Sequence, residues 1–537
     1  MFRMPPHAAA IAVALAACTA TDPYEGEATK SDSGKADSSA EAVFVDLEFD
    51  GELVTDHVWS ARNAIEDQLL YTIGHLNGDR SVGRLDRLEL SDIATDAVDG
   101  RTRLRYHARL PVAWGKRSRV PDTYTLRLPR DVSYAGQTAF TDKYKETCVD
   151  AGAHDVTPGS MWYYYRPAAY RCQLDDADIV VAEATVSPSP TQTTGKYPEY
   201  DRVWADGELR VVAIFGKYED GATTAADAGI SAYNRFVAAM RTELAGAHLD
   251  TTAADIPSAP GVDRPDIEFR ATLDDGRRVH VVALLVDNVR TAGPAFDARY
   301  EALSATADLI AYNGHAGLGA NIRALARKGR WVRGQYVIVF MNGCDTFAYV
   351  DSALADAHAA VNPDDPKGTR YLDIVTNAMP SYFSSMSQAT LALVRGLLAY
   401  DAPRTYENIF RDIDRHEVVL VTGEEDNTFV PGGDGGDGDA AWTGLAASGT
   451  VTAGQEARFE TPRLAAGTYR FDLTGTGDAD LYVRIGSAPT VTEWDCRPYK
   501  YSSNESCTVE LAAPAVIHVM VRGYATESDF ELAGSAE

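Results

Sequence analysis

Long apolar runs, cysteines and positive charges are all scarce in this sequence. No stretch of about eighteen uninterrupted apolar residues occurs, so no membrane-spanning helix is predicted. The six cysteines are few for 537 residues, and their positions matter more than their number. Lys and Arg total 50 against 78 Asp and Glu, and the net charge of −28 argues against nucleic acid as the main partner. A hydrophobic content of 45% excludes a wholly disordered chain, and the length suits several domains of about 150 residues.

The N-terminus carries an export pattern. A single positive residue, Arg3, precedes a short apolar segment over residues 8–17. The sequence Leu15-Ala16-Ala17-Cys18 resembles a bacterial lipobox. That resemblance implies removal of a signal peptide over residues 1–17, lipidation of Cys18, and a place at the outer membrane or cell surface of a bacterium. A plain secretion signal that is cleaved elsewhere is the alternative.

An exported chain can form disulfides. Local pairing would join Cys148 to Cys172 and Cys496 to Cys507, which leaves Cys344 outside both pairs. The sequence does not prove this connectivity. A cysteine outside any disulfide in an oxidising compartment is either buried and inert or reactive.

The remaining chain divides by its patterning into a multidomain protein. Residues 18–41 carry many small and charged residues and are predicted to form a disordered tether. Strand and helix patterns over 42–200 predict an α+β domain, whose role as prodomain, docking module or spacer stays open. Over 203–425, β-branched runs alternate with helices, which predicts a central α/β domain with a mainly parallel sheet. A Gly- and Asp-rich linker (426–444) precedes short alternating runs over 445–537, which predict an all-β sandwich.

Two residues with catalytic chemistry follow strands of the central domain. His315 and Cys344 each come after an apolar run, and each is preceded by Asn-Gly. If both strands belong to one parallel sheet, both side chains emerge at its carboxyl edge. A thiolate attacks carbonyl groups, and an imidazole can take the thiol proton and later protonate the leaving amine. The glycines allow tight turns whose backbone N–H groups can bind an oxyanion.

These motifs resemble the caspase–gingipain–separase group of cysteine peptidases. The matching sequences are Leu309-Ile310-Ala311-Tyr312-Asn313-Gly314-His315-Ala316-Gly317 and Val337-Ile338-Val339-Phe340-Met341-Asn342-Gly343-Cys344-Asp345. The resemblance implies a caspase-like fold for the central domain. It also implies a catalytic dyad of Cys344 and His315, with an oxyanion hole formed by the backbone N–H groups of Ala316 and Cys344.

Substrate preference is predicted from neighbouring residues. Asp345, next to Cys344, could favour a basic substrate residue, or it could instead cap the helix that follows. The loop after another strand, at 379–385, contains Ser381 and Tyr382 and is a candidate lining of the substrate pocket.

The C-terminal region resembles a bacterial pre-peptidase C-terminal domain. The matching sequences are Gly477-Asp478-Ala479-Asp480-Leu481-Tyr482-Val483, Asp495-Cys496-Arg497-Pro498-Tyr499, Glu505-Ser506-Cys507 and Val521-Arg522-Gly523-Tyr524. Such domains are β-sandwiches that accompany secreted peptidases, and the spacing of Cys496 and Cys507 fits their internal disulfide. Some relatives bind calcium, so Asp478 and Asp480 are possible oxygen ligands, with simple turn chemistry as the alternative. No other cofactor is required.

Together these patterns predict an exported, lipid-anchored cysteine endopeptidase that cleaves protein or peptide substrates through a Cys-His dyad. The only expected membrane contact is the lipid anchor. The alternative is a catalytically inactive surface protein that uses the same fold as a binding or adhesion module. A latent zymogen is a third interpretation, in which self-cleavage in the segments 187–205 or 422–440 would accompany activation.

Overall fold

The computed structural model describes ten stretches of the chain, namely residues 35–56, 60–249, 256–427, 429–431, 442, 444–461, 464, 467–486, 488–511 and 515–536. These residues form two compact units, the first containing those between 41 and 194 and the second containing 35–40 together with those from 195 onward. The predicted signal peptide, Cys18, most of the predicted tether and most of the Gly- and Asp-rich linker lie outside the described residues. Strands and helices are numbered along the described chain, so that β1 (Ser38–Ser39) belongs to the second unit.

The first unit is built on a sheet whose strands pair antiparallel. Strands are β2 (Val43–Thr55), β3 (Ser81–Gly83), β4 (Glu89–Val98), β5 (Arg101–Trp114), β6 (Thr123–Pro129) and β7 (Ile179–Pro188). Their order is β3-β5-β2-β7-β6, with β4 also paired to β5. Helices are α1 (Ala61–Leu69), α2 (Tyr71–Asn77), α3 (Tyr134–Tyr144) and α4 (Met161–Tyr164). The predicted disulfide between Cys148 and Cys172 is confirmed here.

The central part of the second unit contains a nine-stranded sheet of order β1-β15-β14-β13-β12-β8-β11-β10-β9. Strands after β1 are β8 (Glu208–Gly216), β9 (His248–Leu249), β10 (Asp266–Thr272), β11 (Arg278–Val286), β12 (Leu309–Asn313), β13 (Val337–Asn342), β14 (Leu372–Asn377) and β15 (Val419–Gly423). The five strands from β14 to β11 are parallel, whereas β15, β1, β10 and β9 run antiparallel to their neighbours. The sheet is therefore mixed, with a parallel centre.

Helices of this part are α5 (Tyr200–Val203), α6 (Ala228–Glu243), α7 (Pro294–Ser304), α8 (Ala320–Lys328), α9 (Ala353–Ala359), α10 (Met386–Leu398) and α11 (Tyr406–Phe410). Helix α6 buries Phe236 and α10 buries Leu393 against alternate residues of β8, such as Phe215. This burial of apolar stripes is the main stabilising contribution to the fold.

The strand β1 ties the start of the described chain to the central sheet. Ser38 pairs with Val421 and Ser39 with Leu420 of β15, and Ser39 Oγ donates to the Val419 carbonyl oxygen at 2.7 Å. Ser38 Oγ donates to the Glu407 carboxylate at 2.5 Å. The tether predicted over 18–41 thus ends in a short edge strand. Both serine side chains are buried, and these hydrogen bonds satisfy their hydroxyl groups.

A buried ion pair fixes the point where the chain returns from the first unit to the second. Lys196 Nζ lies 2.5 Å from Asp373 Oδ1 in β14, and both side chains have 0% exposure. The ammonium group also donates to the carbonyl oxygens of Gly423 at 3.0 Å and Glu424 at 3.4 Å. Burial lowers the pKa of Lys196, but Asp373 and Glu424 outweigh it and the pKa is raised overall. Three acceptors thus match the three N–H donors of a charged lysine.

The C-terminal part is a sandwich of two antiparallel sheets, of order β16-β22-β18-β20 and β17-β21-β19. The strands are β16 (Leu445–Val451), β17 (Glu456–Glu460), β18 (Gly467–Gly475), β19 (Ala479–Ile485), β20 (Glu505–Leu511), β21 (Ile517–Gly523) and β22 (Ser528–Ala536). Inward-facing residues of both sheets, such as Phe471 and Val519, form one core. The predicted disulfide between Cys496 and Cys507 is confirmed. The all-β prediction for this region is also confirmed.

Within the part of the chain that the structure describes, no helix is long and apolar enough to cross a membrane.

Candidate functional site

The two sequence motifs meet at the carboxyl edge of the central sheet. Strands β12 and β13 are parallel neighbours, and their last residues, Asn313 and Asn342, are paired in register. His315 and Cys344 therefore leave the sheet at the same edge, as the strand order predicted. The two turns approach so closely that a Cβ atom on Gly343 would lie 2.8 Å from the Gly314 carbonyl oxygen. Only glycine fits there without a shift of the backbone.

A ladder of buried polar side chains supports this edge. Asn342 Nδ2 donates to Asn313 Oδ1 at 2.9 Å, and Thr390 Oγ1 of helix α10 donates to the same oxygen at 2.9 Å. Ser381 Oγ donates to Asn342 Oδ1 at 2.6 Å. The ladder links both strand ends to the loop at 379–385. In the sequence the two asparagines stand only as neighbours of His315 and Cys344, and nothing there indicates this supporting role.

His315 is exposed, and its ring is held by aromatic neighbours. Its ring centroid lies 5.2 Å from that of Tyr218 and 5.2 Å from that of Phe383. Nε2 lies 3.1 Å from the Tyr218 carbonyl oxygen. A carbonyl oxygen only accepts hydrogen bonds, so Nε2 must carry the hydrogen and Nδ1 is the ring nitrogen left to accept in the neutral imidazole. The turn itself is fixed because Tyr312 Oη and Asn321 Nδ2 both donate to the His315 carbonyl oxygen.

Cys344 is half-buried and takes part in neither disulfide. Its Sγ lies 3.8 Å from the Ser381 carbonyl oxygen, toward which the thiol donates. The loop at 379–385 is therefore a wall of the site on the Cys344 side, as well as a neighbour of His315 through Phe383.

The remaining predicted site residues differ in how far they are exposed to solvent. Ala316 is buried beside the turn of Cys344, because a Cβ atom on Gly343 would also lie 3.3 Å from the Ala316 backbone nitrogen. Asp345 is fully buried at φ 51°, and its side chain gives no capping hydrogen bond to the 3-10 turn that follows. Ser381 is buried, whereas Tyr382 is exposed at the rim of the site.

Glu417 is a charged residue of this edge that the sequence analysis missed. Its carboxylate has 0% exposure and accepts hydrogen bonds from the Tyr382 backbone N–H at 3.2 Å and from Ser385 Oγ. Burial raises the pKa of Glu417, and the bonds from Ser385 and Tyr382 oppose this rise. Glu417 stands in a polar turn ahead of β15 with no motif around it, so no sequence signal could have marked it.

A surface cavity of about 490 Å³ lies beside Tyr218. Its lining comes from the loop between β8 and α6 and consists of an aromatic ring, small side chains and two carboxylates (Tyr218, Glu219, Ala222, Thr223, Thr224, Ala226, Asp227 and Ala228). Asp227 caps α6 and accepts four backbone N–H bonds. Burial opposes ionisation of Asp227, but those bonds outweigh it and hold its pKa below the usual range. The volume is in the range of about 300–1,000 Å³ that is usual for ligand pockets.

The residues predicted as calcium ligands lie in the C-terminal sandwich. Asp480 Oδ2 lies 2.7 Å from Arg497 Nη2, so a guanidinium group already compensates its charge. Desolvation raises the pKa of Asp480, and Arg497 opposes the rise. Asp478 Oδ1 is buried. In the described residues no group of three or more His, Cys, Asp or Glu side chains is placed to hold a metal ion, and calcium at Asp478 and Asp480 stays a prediction.

The C-terminal sandwich also has a family match. Residues 450–523 match the family model of the bacterial pre-peptidase C-terminal domain. This chain carries a pre-peptidase C-terminal domain. The match confirms the resemblance predicted for this region, and it covers only this part of the chain.

The curated relatives match this chain over short stretches. The alkaline serine exoprotease A of Vibrio alginolyticus is 54% identical over 54 residues, which are 10% of this chain and 10% of that protein. The zinc metalloprotease of Helicobacter pylori is 50% identical over 58 residues, 11% of this chain and 23% of that protein. A solved structure, the solution structure of vEP C-ter 100, is 42% identical and covers 16% of this chain and 83% of its own, with a TM-score of 0.14. This chain thus spans less than a quarter of these two relatives.

The relatives correct the predicted function. Those that share the C-terminal domain are named an alkaline serine exoprotease, a neutral protease, a virulence metalloprotease and a zinc metalloprotease, and none of these names is that of a cysteine peptidase. The prediction of an endopeptidase acting through a Cys-His dyad is therefore wrong as the function of this chain. One part of that prediction agrees with the structure: Cys344, His315 and Ala316 lie at the same edge of the central sheet.

Proposed function

We propose that this chain is an exported protease that carries a pre-peptidase C-terminal domain as an accessory module. The substrate polypeptide would lie across the carboxyl edge of the central sheet. The observation that carries the proposal is the C-terminal domain itself, because the proteins that share it are named proteases. One of them is named an extracellular protease, which supports export. The experiment below identifies the group that attacks the peptide bond.

The surface of the site supports a polypeptide ligand. Three neighbouring loops each place one large apolar side chain in solvent, namely Tyr218 with 48% exposure, Leu318 with 47% and Tyr382 with 53%. Exposed aromatic and aliphatic side chains around a concave surface are typical of sites that bind other molecules. The cavity beside Tyr218 continues this rim, and its small residues leave room for a substrate side chain.

The test is a cleavage profile of the purified full-length chain on a denatured protein mixture, with new N-termini read by mass spectrometry. We expect cleavage at a reproducible set of sites. Parallel arms with a chelator, a serine-directed reagent and a thiol-directed reagent then assign the reacting group. No new N-termini above the blank in any arm would contradict the proposal.

A matched pair of variants tests the place of binding. Tyr382→Asp puts a charge on the rim and should lower cleavage at least tenfold at a low substrate concentration. Tyr170→Asp makes the same change at a fully exposed tyrosine of the first unit and should leave cleavage within twofold. Equal effects of the two variants would place the binding site elsewhere.

Two finer expectations belong to the same proposal. A caspase-like fold of the central domain is supported by its parallel centre and by the two motifs at one edge. Lipidation of Cys18 is supported by the lipobox-like sequence. Labelling of expressing cells with an alkyne fatty acid tests the anchor, since wild type should be labelled and Cys18→Ala should not.

A further inference from the structure

The loop at 379–385 contacts both predicted site side chains. Its Ser381 carbonyl oxygen accepts from the Cys344 thiol at 3.8 Å, and the ring of Phe383 meets the ring of His315 edge-on, with centroids 5.2 Å apart. Ser381 Oγ reaches the buried amide ladder at Asn342. The position of this loop therefore decides how far Cys344 is open to solvent and how wide the site is.

One buried carboxylate holds this loop. Glu417 accepts from the Tyr382 backbone N–H at 3.2 Å and from the Ser385 hydroxyl through the same oxygen, Oε1. Its other oxygen accepts from Asn377 Nδ2, at the end of β14, at 3.4 Å. Its carbonyl oxygen accepts from the Met379 backbone N–H at 3.2 Å. The Glu417 carboxylate thus fastens the middle and end of the loop to the end of β14, and its backbone carbonyl oxygen holds the start.

The remaining attachments of the loop are fewer. Arg235 Nη2 donates to the Phe383 carbonyl oxygen at 2.9 Å from an exposed position on helix α6. Hydrogen bonds to a buried carboxylate are stronger than those between neutral groups or at an exposed site. Loss of the Glu417 carboxylate would leave the middle of the loop held by Ser381, by Arg235 and by the ring of Phe383, with backbone hydrogen bonds of Met379 at its start.

We propose that Glu417 is a positioning residue that holds the loop at 379–385 closed against Cys344 and His315 and so sets the width of the site. The assignment of a polypeptide ligand to that site rests on the proposed function. The closure of the loop is independent of the proposed function, because it follows from the hydrogen bonds of the loop alone.

The test measures how fast iodoacetamide alkylates Cys344 in the folded full-length chain, read by mass spectrometry of the peptide that contains Cys344. Glu417→Ala should raise the rate at least tenfold, because the loop loses its central attachment. Glu417→Gln keeps one acceptor oxygen for Tyr382 and Ser385, so this conservative variant should bring the rate back to within threefold of wild type. An unchanged rate in a folded Glu417→Ala protein would overturn the inference.

The matched control is Asp308→Asn. Asp308 is a second buried carboxylate of the same sheet, and it accepts from the Arg210 backbone N–H at 2.7 Å just ahead of β12, at the opposite edge. Asp308→Asn should change the rate of Cys344 alkylation less than twofold. An equal rise in this variant would indicate general loosening and overturn the specific role of Glu417. If Glu417→Ala does not fold, Ser385→Ala removes one of the loop bonds and should raise the rate severalfold, and no rise there overturns the inference.

Alkylation needs no substrate, so the two proposals can fail separately. If the chain cleaves no polypeptide but Glu417→Ala still raises the alkylation rate, the proposed function is contradicted and the positioning role of Glu417 is supported. If the chain cleaves polypeptides but Glu417→Ala leaves the alkylation rate unchanged, the proposed function is supported and the positioning role is contradicted.

Discussion

The substitution Lys196→Met should destabilise the central sheet strongly. Methionine has nearly the shape of lysine but carries no charge and no N–H donor. The variant would leave the Asp373 carboxylate in a site with 0% exposure, with hydroxyl donors from Tyr336 at 2.8 Å and Tyr406 at 2.7 Å. It would also remove the donors to the carbonyl oxygens of Gly423 and Glu424.

The expected loss of stability follows from the short distance between Lys196 and Asp373 and from the burial of both side chains. Unit charges at 2.5 Å attract by about 7 kcal/mol at an effective dielectric constant near 20, and the cost of desolvating both groups offsets much of that. Removing one partner forfeits the attraction and leaves the other charge buried, which typically costs about 3–5 kcal/mol. We therefore expect a loss of about 3–5 kcal/mol in the free energy of unfolding of this part of the chain.

The second variant neutralises both groups. Lys196→Met combined with Asp373→Asn leaves no buried charge at this position, and the asparagine oxygen can still accept from the two tyrosines. The double variant should be more stable than Lys196→Met by at least about 2 kcal/mol. The assay is urea unfolding of the full chain, followed by hydrogen exchange of peptides from β14 so that the central sheet is read apart from the other regions.

An exposed ion pair provides the control. Lys145→Met removes the ammonium group that lies 2.9 Å from Asp142 in the first unit, and it should cost under about 1 kcal/mol because exposed pairs contribute little. A loss of less than about 1 kcal/mol in Lys196→Met, or a double variant no more stable than the single one, would refute the reasoning about the buried pair.

Three further predictions concern other parts of the chain. Replacing both Cys496 and Cys507 with serine should lower the stability of the C-terminal sandwich by about 3 kcal/mol, measured by urea unfolding, and an unchanged midpoint would contradict a stabilising disulfide. Burial lowers the pKa of His75 to about 4 from its ordinary 6.5, so the unfolded chain gains a proton first as the pH falls. The unfolding free energy of the first unit should therefore drop between pH 6.5 and 4, and His75→Gln should flatten that dependence in urea titrations; an unchanged slope would contradict it. Gly343→Ala should lower the melting temperature, because its Cβ would meet a carbonyl oxygen at 2.8 Å, whereas Gly246→Ala has open space and should not.

The sequence predicted the fold best where burial alone decides the structure. The apolar runs before His315 and Cys344 could only be buried strands, and β12 and β13 end where those runs end, at Asn313 and Asn342. The antiparallel direction of β15 could not be predicted, because a fully buried strand has the same composition in either direction. Strand β1 was missed because two serines carry no apolar pattern, and their pairing depends on an edge that forms only in the fold.

The sequence predicted where the candidate site lies in the fold but not the hydrogen bonds and ring contacts that hold its side chains. The Asn-Gly pairs placed two turns at one edge, since parallel strands share their carboxyl ends. The hydrogen bond from His315 to the Tyr218 carbonyl oxygen, the aromatic contact with Phe383 and the attachment to Glu417 join residues that are far apart in the sequence. No local spacing encodes such contacts.

Strand β1 also changes how the first unit can be removed. The chain leaves the second unit after residue 40 and re-enters it at Gly195, whose carbonyl oxygen accepts from Lys35 Nζ at 2.6 Å. In chain order, the first unit is therefore an insertion within the second. One backbone cut, at either crossing, would leave it attached through the other, so release requires two cuts.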